Sequence, residues 1–258
     1  MSRDSIGKIL AVAFLVCIFC SILVSATAVV LNERQERNKA EEKKKNILLA
    51  AGFYEPKKPI DEQFDKIEAR IVDLETGLFR PEIDPAEFNS RAAARDQETR
   101  YQIPAEQDLA GIKARSRYKD VYLVVENDQM QQIILPVHGK GLWSTMYGFL
   151  ALDKDLTTVN GFAFYEHGET PGLGGEIDNP AWKRQWPGKK IYDENGVLRI
   201  EVLKGQVNPR SPDAIYQADG LAGATLTARG VDNLLKYWLG ENGYKPFLAN
   251  LKTERLNP

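Results

Sequence analysis

The sequence predicts an α+β protein, with an N-terminal transmembrane helix followed by a soluble, mostly antiparallel β domain with flanking helices. Three observations predict it. Ile9 to Leu31 carries no charge. From Asp120 onward, short apolar runs of strand length alternate with polar turns. An amphipathic helical stripe then follows the strands instead of alternating with them, which argues against a doubly wound sheet.

The elements follow in order. Residues 1–8 form a short tail. Residues 9–31 would make a helix of roughly 34 Å at about 1.5 Å per residue, enough for the ~30 Å hydrocarbon core of a bilayer. A signal peptide is the rival reading, with Arg3 and Lys8 as its basic start and Ala26-Thr27-Ala28 as a cleavage site. The apolar run exceeds the usual ~7–15 residues, which favours an uncleaved anchor. Cys17 and Cys20 lie inside it and read as small residues on a membrane helix rather than a redox pair. Arg34, Arg37, Lys39 and Lys43 to Lys45 follow the span, and Arg3 and Lys8 precede it. Counting basic residues alone puts the body on the cytoplasmic side, but long domains translocate despite such charge.

Residues 32–52 are strong helix formers without proline and predict a solvated helical stalk ending near Gly52. Residues 53–118 form an accessory region with one strand candidate, Ala69 to Leu74, and breaks at Pro81, Pro85 and Pro104. Val121 to Glu126 and Gln132 to Val137 flank the turn Asn127-Asp128-Gln129 as a hairpin. Gly148 to Asp153 and Val159 to Glu166 are the next strands. A short helix is expected from Pro180 to Trp186, where Trp182 and Trp186 pack in a core or interface, and a strand from Val197 to Leu203. The last helix runs from about Thr227 to Leu239. Its apolar positions Val231, Leu234, Leu235, Trp238 and Leu239 share one face, and Gly240 stops it.

Composition excludes several function classes. The 258 residues carry a formal net charge of −2, which leaves no electrostatic footprint for nucleic acid. Beyond the apolar run there is no cysteine for a disulfide, a thiolate metal site or a nucleophile. His138 and His167, near Glu166 and Glu169, lack metal-ligand spacing and suit hydrogen bonding better.

Chemistry concentrates in three segments. DGLAGATLTARGV, Asp219 to Val231, places Thr225 and Thr227 where the last helix begins. Free amides and the helix dipole make that position suit a phosphate, and an ordinary threonine cap fits it as well. YEHGETPGLGGEI, Tyr165 to Ile177, holds four glycines between 168 and 175 without dinucleotide-fingerprint spacing. PVHGKGLWSTMYGF, Pro136 to Phe149, carries Leu142 and Trp143, and a core position is one reading of Trp143. Lys204, in the Lys204 to Gln206 segment, offers a nearby cation.

DGLAGAT resembles the acceptor motif for covalently attached flavin mononucleotide (FMN), in which a flavin transferase joins the FMN phosphate to the threonine after Gly-Ala. That threonine is Thr225, flanked by Gly223, Ala224 and Thr227. Ala222 stands where the family usually has Ser or Thr. The glycine-rich loop, with Glu169, Thr170, Gly172 and Leu173, resembles the flavin-contacting loop of the C subunit of the sodium-translocating NADH:quinone oxidoreductase. The G subunit of the Rnf electron-transport complex has a similar loop. The Leu142–Trp143 segment is also similar to its counterpart in the sodium pump, where it would cover the flavin ring. With the anchor and stalk, the resemblance spans most of the chain and marks residues 119–258 as the FMN-binding domain.

The resemblance implies a one-electron carrier with covalent FMN. It would act in a membrane complex that oxidises NADH, reduces ubiquinone and moves Na⁺, without binding NADH itself. Its implied partners are the other five subunits, the lipid bilayer and, during maturation, the flavin transferase. The implied location is the bacterial inner membrane, with the soluble domain periplasmic. The alternatives are an Rnf G-type subunit and a membrane-anchored, non-redox binding module in which Thr225 is only a cap.

Overall fold

A computed structural model describes residues 6–256. Residues 1–5, most of the expected tail and including Arg3, lie outside the described residues, as do 257–258. The chain divides into two compact units, Met1–Lys43 and Lys44–Pro258. The expected anchor and stalk form one helix, α1 (Ile6–Ala51). Its Ile6–Asn32 stretch, whose most apolar window has a mean hydropathy of 2.9, is long and apolar enough to cross a membrane. Cys17 and Cys20 are exposed on it as free thiols.

The second unit begins with the last turns of α1. They end where the sequence places the stop. Gly52 adopts φ +76°, its amide donates to Leu49 O, and the Phe53 amide donates to Leu48 O. This is the paired bonding of a Schellman cap, which calls for a residue at ease in the left-handed region. Residues 44–51 are not a solvated stalk throughout: Ile47, Leu48, Ala50 and Ala51 are buried, while Leu49 stays exposed.

They cover one face of a six-stranded antiparallel sheet. Its strands are β1 (Ile67–Asp73), β2 (Leu78–Phe79), β5 (Tyr118–Glu126), β6 (Gln129–Lys140), β7 (Thr145–Asp153) and β8 (Val159–Glu166), in the order β2-β1-β5-β6-β7-β8. The strand expected at Ala69 to Leu74 is β1. It pairs with β5 from Ile67↔Val124 to Asp73↔Tyr118, so the segment 53–118 supplies part of the main sheet. Residues 100–102 and 114–116 add a separate two-stranded ribbon, β3 and β4. The β5–β6 hairpin turns on Asn127 and Asp128, both with positive φ, as two-residue hairpins require.

Strand periodicity sorts the core into two layers. Tyr122, Ile134, Phe149 and Ala163 face the end of α1. Val121, Leu123, Ile133, Leu135, Leu150 and Phe164 face the opposite layer. That layer includes the long amphipathic helix α5 (Thr225–Trp238) and α6 (Lys245–Leu256). On the α1 side, Gly161 lets the Ala50 carbonyl oxygen rest directly on β8, in space that any Cβ would occupy.

Several expected boundaries move. The helix at 180–186 is only α4 (Pro180–Lys183), because Pro187 disfavours helical geometry at Trp186. Trp182 and Trp186 are both buried, with ring centroids 5.3 Å apart. The strand at 197–203 shrinks to β9 (Glu201–Val202), parallel to β10 (Gln217–Ala218). Asp193 Oδ1 captures the amides of Asn195 and Val197, each at 2.9 Å, and turns the chain there instead. The helix expected from Thr227 begins two residues earlier, and it is not the last: α6 follows it.

Candidate functional site

The site forms where the β6–β7 tip (residues 141–144), the loop after β8 and the start of α5 converge. Glu169 joins all three. Its side chain is buried, and both oxygens are used. Oε1 accepts the amides of Trp143 at 3.0 Å and Ser144 at 3.2 Å. Oε2 accepts the Leu142 amide at 3.1 Å and the Thr227 hydroxyl at 2.6 Å. Burial pushes the carboxyl pKa up, but these four bonds outweigh it and hold Glu169 below the ordinary glutamate value. Glycines make room for the carboxylate. A Cβ on Gly141 would stand 2.6 Å from Oε1, and one on Gly174 would stand 2.5 Å from Thr227 Oγ1. A second tie runs from the Gly168 amide to Ser144 Oγ at 2.6 Å.

The start of α5 bears on the choice between cap and acceptor. Ala224 is the N-cap residue and no side chain caps the helix. Thr227 is fully buried with its hydroxyl committed to Glu169. Thr225, the first helical residue, is half-buried, and among the described residues no hydrogen bond reaches its hydroxyl. A helix terminus with uncapped amides and a free, accessible hydroxyl fits a phosphate in chemistry and in charge.

Four apolar side chains in these segments face solvent: Leu142, Trp143 (67% exposed), Leu173 and Leu226. Trp143 is therefore not a core residue. Gly223 has φ +74°, and Leu173 Cδ2 would lie 3.1 Å from a Cβ there, so the Leu173 side chain borders the acceptor turn. Gly172 is exposed on the same loop. Exposed Thr170 uses its carbonyl to bind the amides of Leu173 and Gly175 at 3.1 and 2.9 Å. Lys204 is exposed, and its backbone lies against Gly220 at the start of the motif.

Other polar residues hold the scaffold. Asp219 Oδ1 accepts the Val207 amide at 2.7 Å, and its carbonyl accepts Trp182 Nε1–H at 3.0 Å, which fixes the loop that leads to Thr225. His167 takes the hydrogen-bonding role expected of it. Nδ1 accepts the Glu169 amide at 3.2 Å, so Nε2 carries the proton toward Asp178, 2.7 Å away. His138 does not take that role: its ring stacks on Tyr147 at 5.3 Å and lies 4.9 Å from Trp238. Burial, with Lys119 and Arg91 nearby, drives its pKa well below the ordinary histidine value. Ser144, Gly174 and the second role of Thr227 were not legible from spacing, since each depends on contacts across 24 residues or more.

A family model described as an FMN-binding domain matches residues 141–240. The chain is 49% identical to the C subunit of the Na(+)-translocating NADH-quinone reductase of Pseudomonas aeruginosa, across 97% of this chain and 98% of that protein. It is 43% identical to the protein of the same name from Yersinia pestis, across 97% and 95%. Among solved structures it is similar to Shewanella oneidensis NqrC, with a TM-score of 0.77 and 31% identity, over 84% of this chain and 99% of that one. The corresponding Na(+)-translocating NADH-quinone reductase chain from Parabacteroides distasonis gives a TM-score of 0.65 at 28% identity, over 84% and 96%.

Proposed function

The chain belongs to the NqrC family, the C subunits of Na⁺-translocating NADH-quinone reductases, and on that premise we propose that it carries FMN bound covalently through phosphate to Thr225. The observation that carries this reading is the contrast between two threonines two residues apart in the first turn of α5. Thr227 is buried and hydrogen-bonded, whereas Thr225 presents a free hydroxyl at an uncapped helix terminus. In maturation, a flavin transferase forms a P–O bond to Thr225 Oγ1. The hydroxyl proton leaves, and the activated phosphate's former substituent departs with the bonding electron pair. The transferase supplies the base. The phosphodiester then keeps one negative charge at the positive end of the α5 dipole.

Bound FMN supplies one-electron redox chemistry. The protein's own residues do the rest. Leu142, Trp143 and Leu173 offer apolar surface to a ring tethered at Thr225 and exclude water from it. Thr170 and Gly172 lie on the loop facing the acceptor turn, and Gly223 and Ala224 shape that turn. Lys204 supplies positive charge on its rim. The partners in this reading are the remaining subunits of the complex, to which electrons pass. The flavin-bearing domain lies on the periplasmic side of the bacterial inner membrane. That side is supported by the family resemblance and not by the basic residues flanking the span.

Thr225→Ala and Thr227→Ala, each produced with a working flavin transferase, test the linkage. Thr225→Ala should show no flavin fluorescence on a denaturing gel and an unmodified intact mass, while Thr227→Ala keeps the adduct. A fluorescent Thr225→Ala chain overturns the assignment. Protease accessibility in intact spheroplasts tests the side of the membrane.

A further inference from the structure

We propose that Glu169 is a positioning residue that clamps the Leu142–Trp143 tip over the flavin attachment point and makes no contact with the flavin itself. The proposal rests on the flavin reading above, and its geometry stands independently. The tip has no secondary structure of its own between β6 and β7, yet three successive amides, those of Leu142, Trp143 and Ser144, converge on one carboxylate. The fourth ligand of that carboxylate is Thr227, in the first turn of the helix that begins with Thr225. One side chain thereby fixes the distance between the apolar tip and the tethering hydroxyl.

The socket is specific for a carboxylate. Four donors meet two oxygens, two at each. A glutamine can keep the amides of Trp143 and Ser144 on its oxygen. Its NH₂ group must then face the Leu142 amide, donor against donor, and Thr227 loses its acceptor. A shorter aspartate cannot span the gap. Gly141 and Gly174 admit the carboxylate because they carry no side chain: Cβ atoms there would lie 2.6 and 2.9 Å from its oxygens. Glu169 is buried, whereas the Leu142, Trp143 and Leu173 side chains are exposed to solvent.

The same carboxylate directs the modification. By engaging the Thr227 hydroxyl, it leaves Thr225 as the accessible acceptor in this turn.

Glu169→Gln and Thr227→Ser, made in the full-length chain with the transferase present, test the proposal. Thr227→Ser keeps the donor, so exchange at the tip should stay closer to wild type than in Glu169→Gln. In Glu169→Gln, hydrogen exchange in a peptide spanning 140–146 should quicken at least tenfold, while peptides from β5 remain unchanged. Where the covalent flavin is present, iodide should quench its fluorescence more steeply and its midpoint potential should move. Unchanged exchange at the tip overturns the proposal. So do unchanged quenching and potential in a flavin-loaded Glu169→Gln protein. If even the wild type carries no covalent flavin, the attachment reading fails, and the exchange comparison still decides whether Glu169 clamps the tip. Should Glu169→Gln fail to fold, Thr227→Val removes a single ligand of the socket. It should then quicken exchange at the tip by a smaller factor, and no change there overturns the proposal.

Discussion

Gly230 lies against Lys140: a Cβ on the glycine would stand 2.5 Å from the Lys140 carbonyl oxygen. The contact seats the first turns of α5 on the end of β6, directly before the tip that carries Leu142 and Trp143.

Gly230→Ala therefore sets two effects against each other. Alanine favours a helix interior by about 1 kcal/mol over glycine. Here its methyl meets backbone that cannot yield cheaply, and overpacking of this kind costs about 1–3 kcal/mol. The net expectation is a lower thermal midpoint for the detergent-solubilised protein, together with reduced flavin loading. A raised midpoint contradicts the packing.

Thr225→Ser keeps a hydroxyl on the same Cβ and should still take up flavin, whereas Thr225→Val, which has the shape of threonine but no hydroxyl, should take up none. In-gel flavin fluorescence normalised to stained protein measures both.

Trp143→Ala removes a large side chain that is two-thirds exposed. In a flavin-free Thr225→Ala background it should change stability by no more than about 0.5 kcal/mol, as for a surface position. In flavin-loaded protein the same substitution should increase iodide quenching of the flavin. A large stability loss in the flavin-free background would mean that Trp143 belongs to the core.

Asp73 gives the acid dependence. Its side chain is fully buried, with Oδ2 at 2.9 Å from both Arg80 Nη2 and Arg117 Nη2. Burial pushes its pKa up, but the two arginines and the Glu75 amide bring it down to about 2. A folded-state pKa below the unfolded value stabilises the fold above the unfolded pKa, and that contribution is lost as pH falls through the folded one. Roughly 2 kcal/mol should thus disappear between about pH 4 and pH 2. Urea midpoints of wild type and Asp73→Asn should differ most near neutrality and converge in that window.

Sequence made the regular parts legible. An uncharged run, alternating apolar residues and a 3.6-residue stripe each report on a local period, so α1, β5 to β8 and α5 could be located from it. Elements held by distant partners could not. β9 and β10 have two residues each and exist only by pairing with one another. Among the described residues α6 buries Phe247, Leu248 and Leu251, a narrow stripe, although Pro246 near its start was a usable signal. At the site, the acceptor motif pointed to Thr225. The division of labour between Thr225 and Thr227 needed the position of Glu169, 58 residues away from Thr227 in sequence. A run of lysines likewise disguised residues 44–51 as stalk, because Ile47, Leu48, Ala50 and Ala51 are too few to register as an apolar face.

Where Ala50 rests on Gly161, the anchor helix has already become core. Cutting the chain at Phe53 to obtain a water-soluble fragment would strip Ile47, Leu48, Ala50 and Ala51 from the sheet and leave Tyr122, Ile134 and Phe149 wet. A cut ahead of Lys44 spares them. The frontier between what a detergent must shelter and what can live in buffer therefore falls inside a single unbroken helix, about two turns before its visible end.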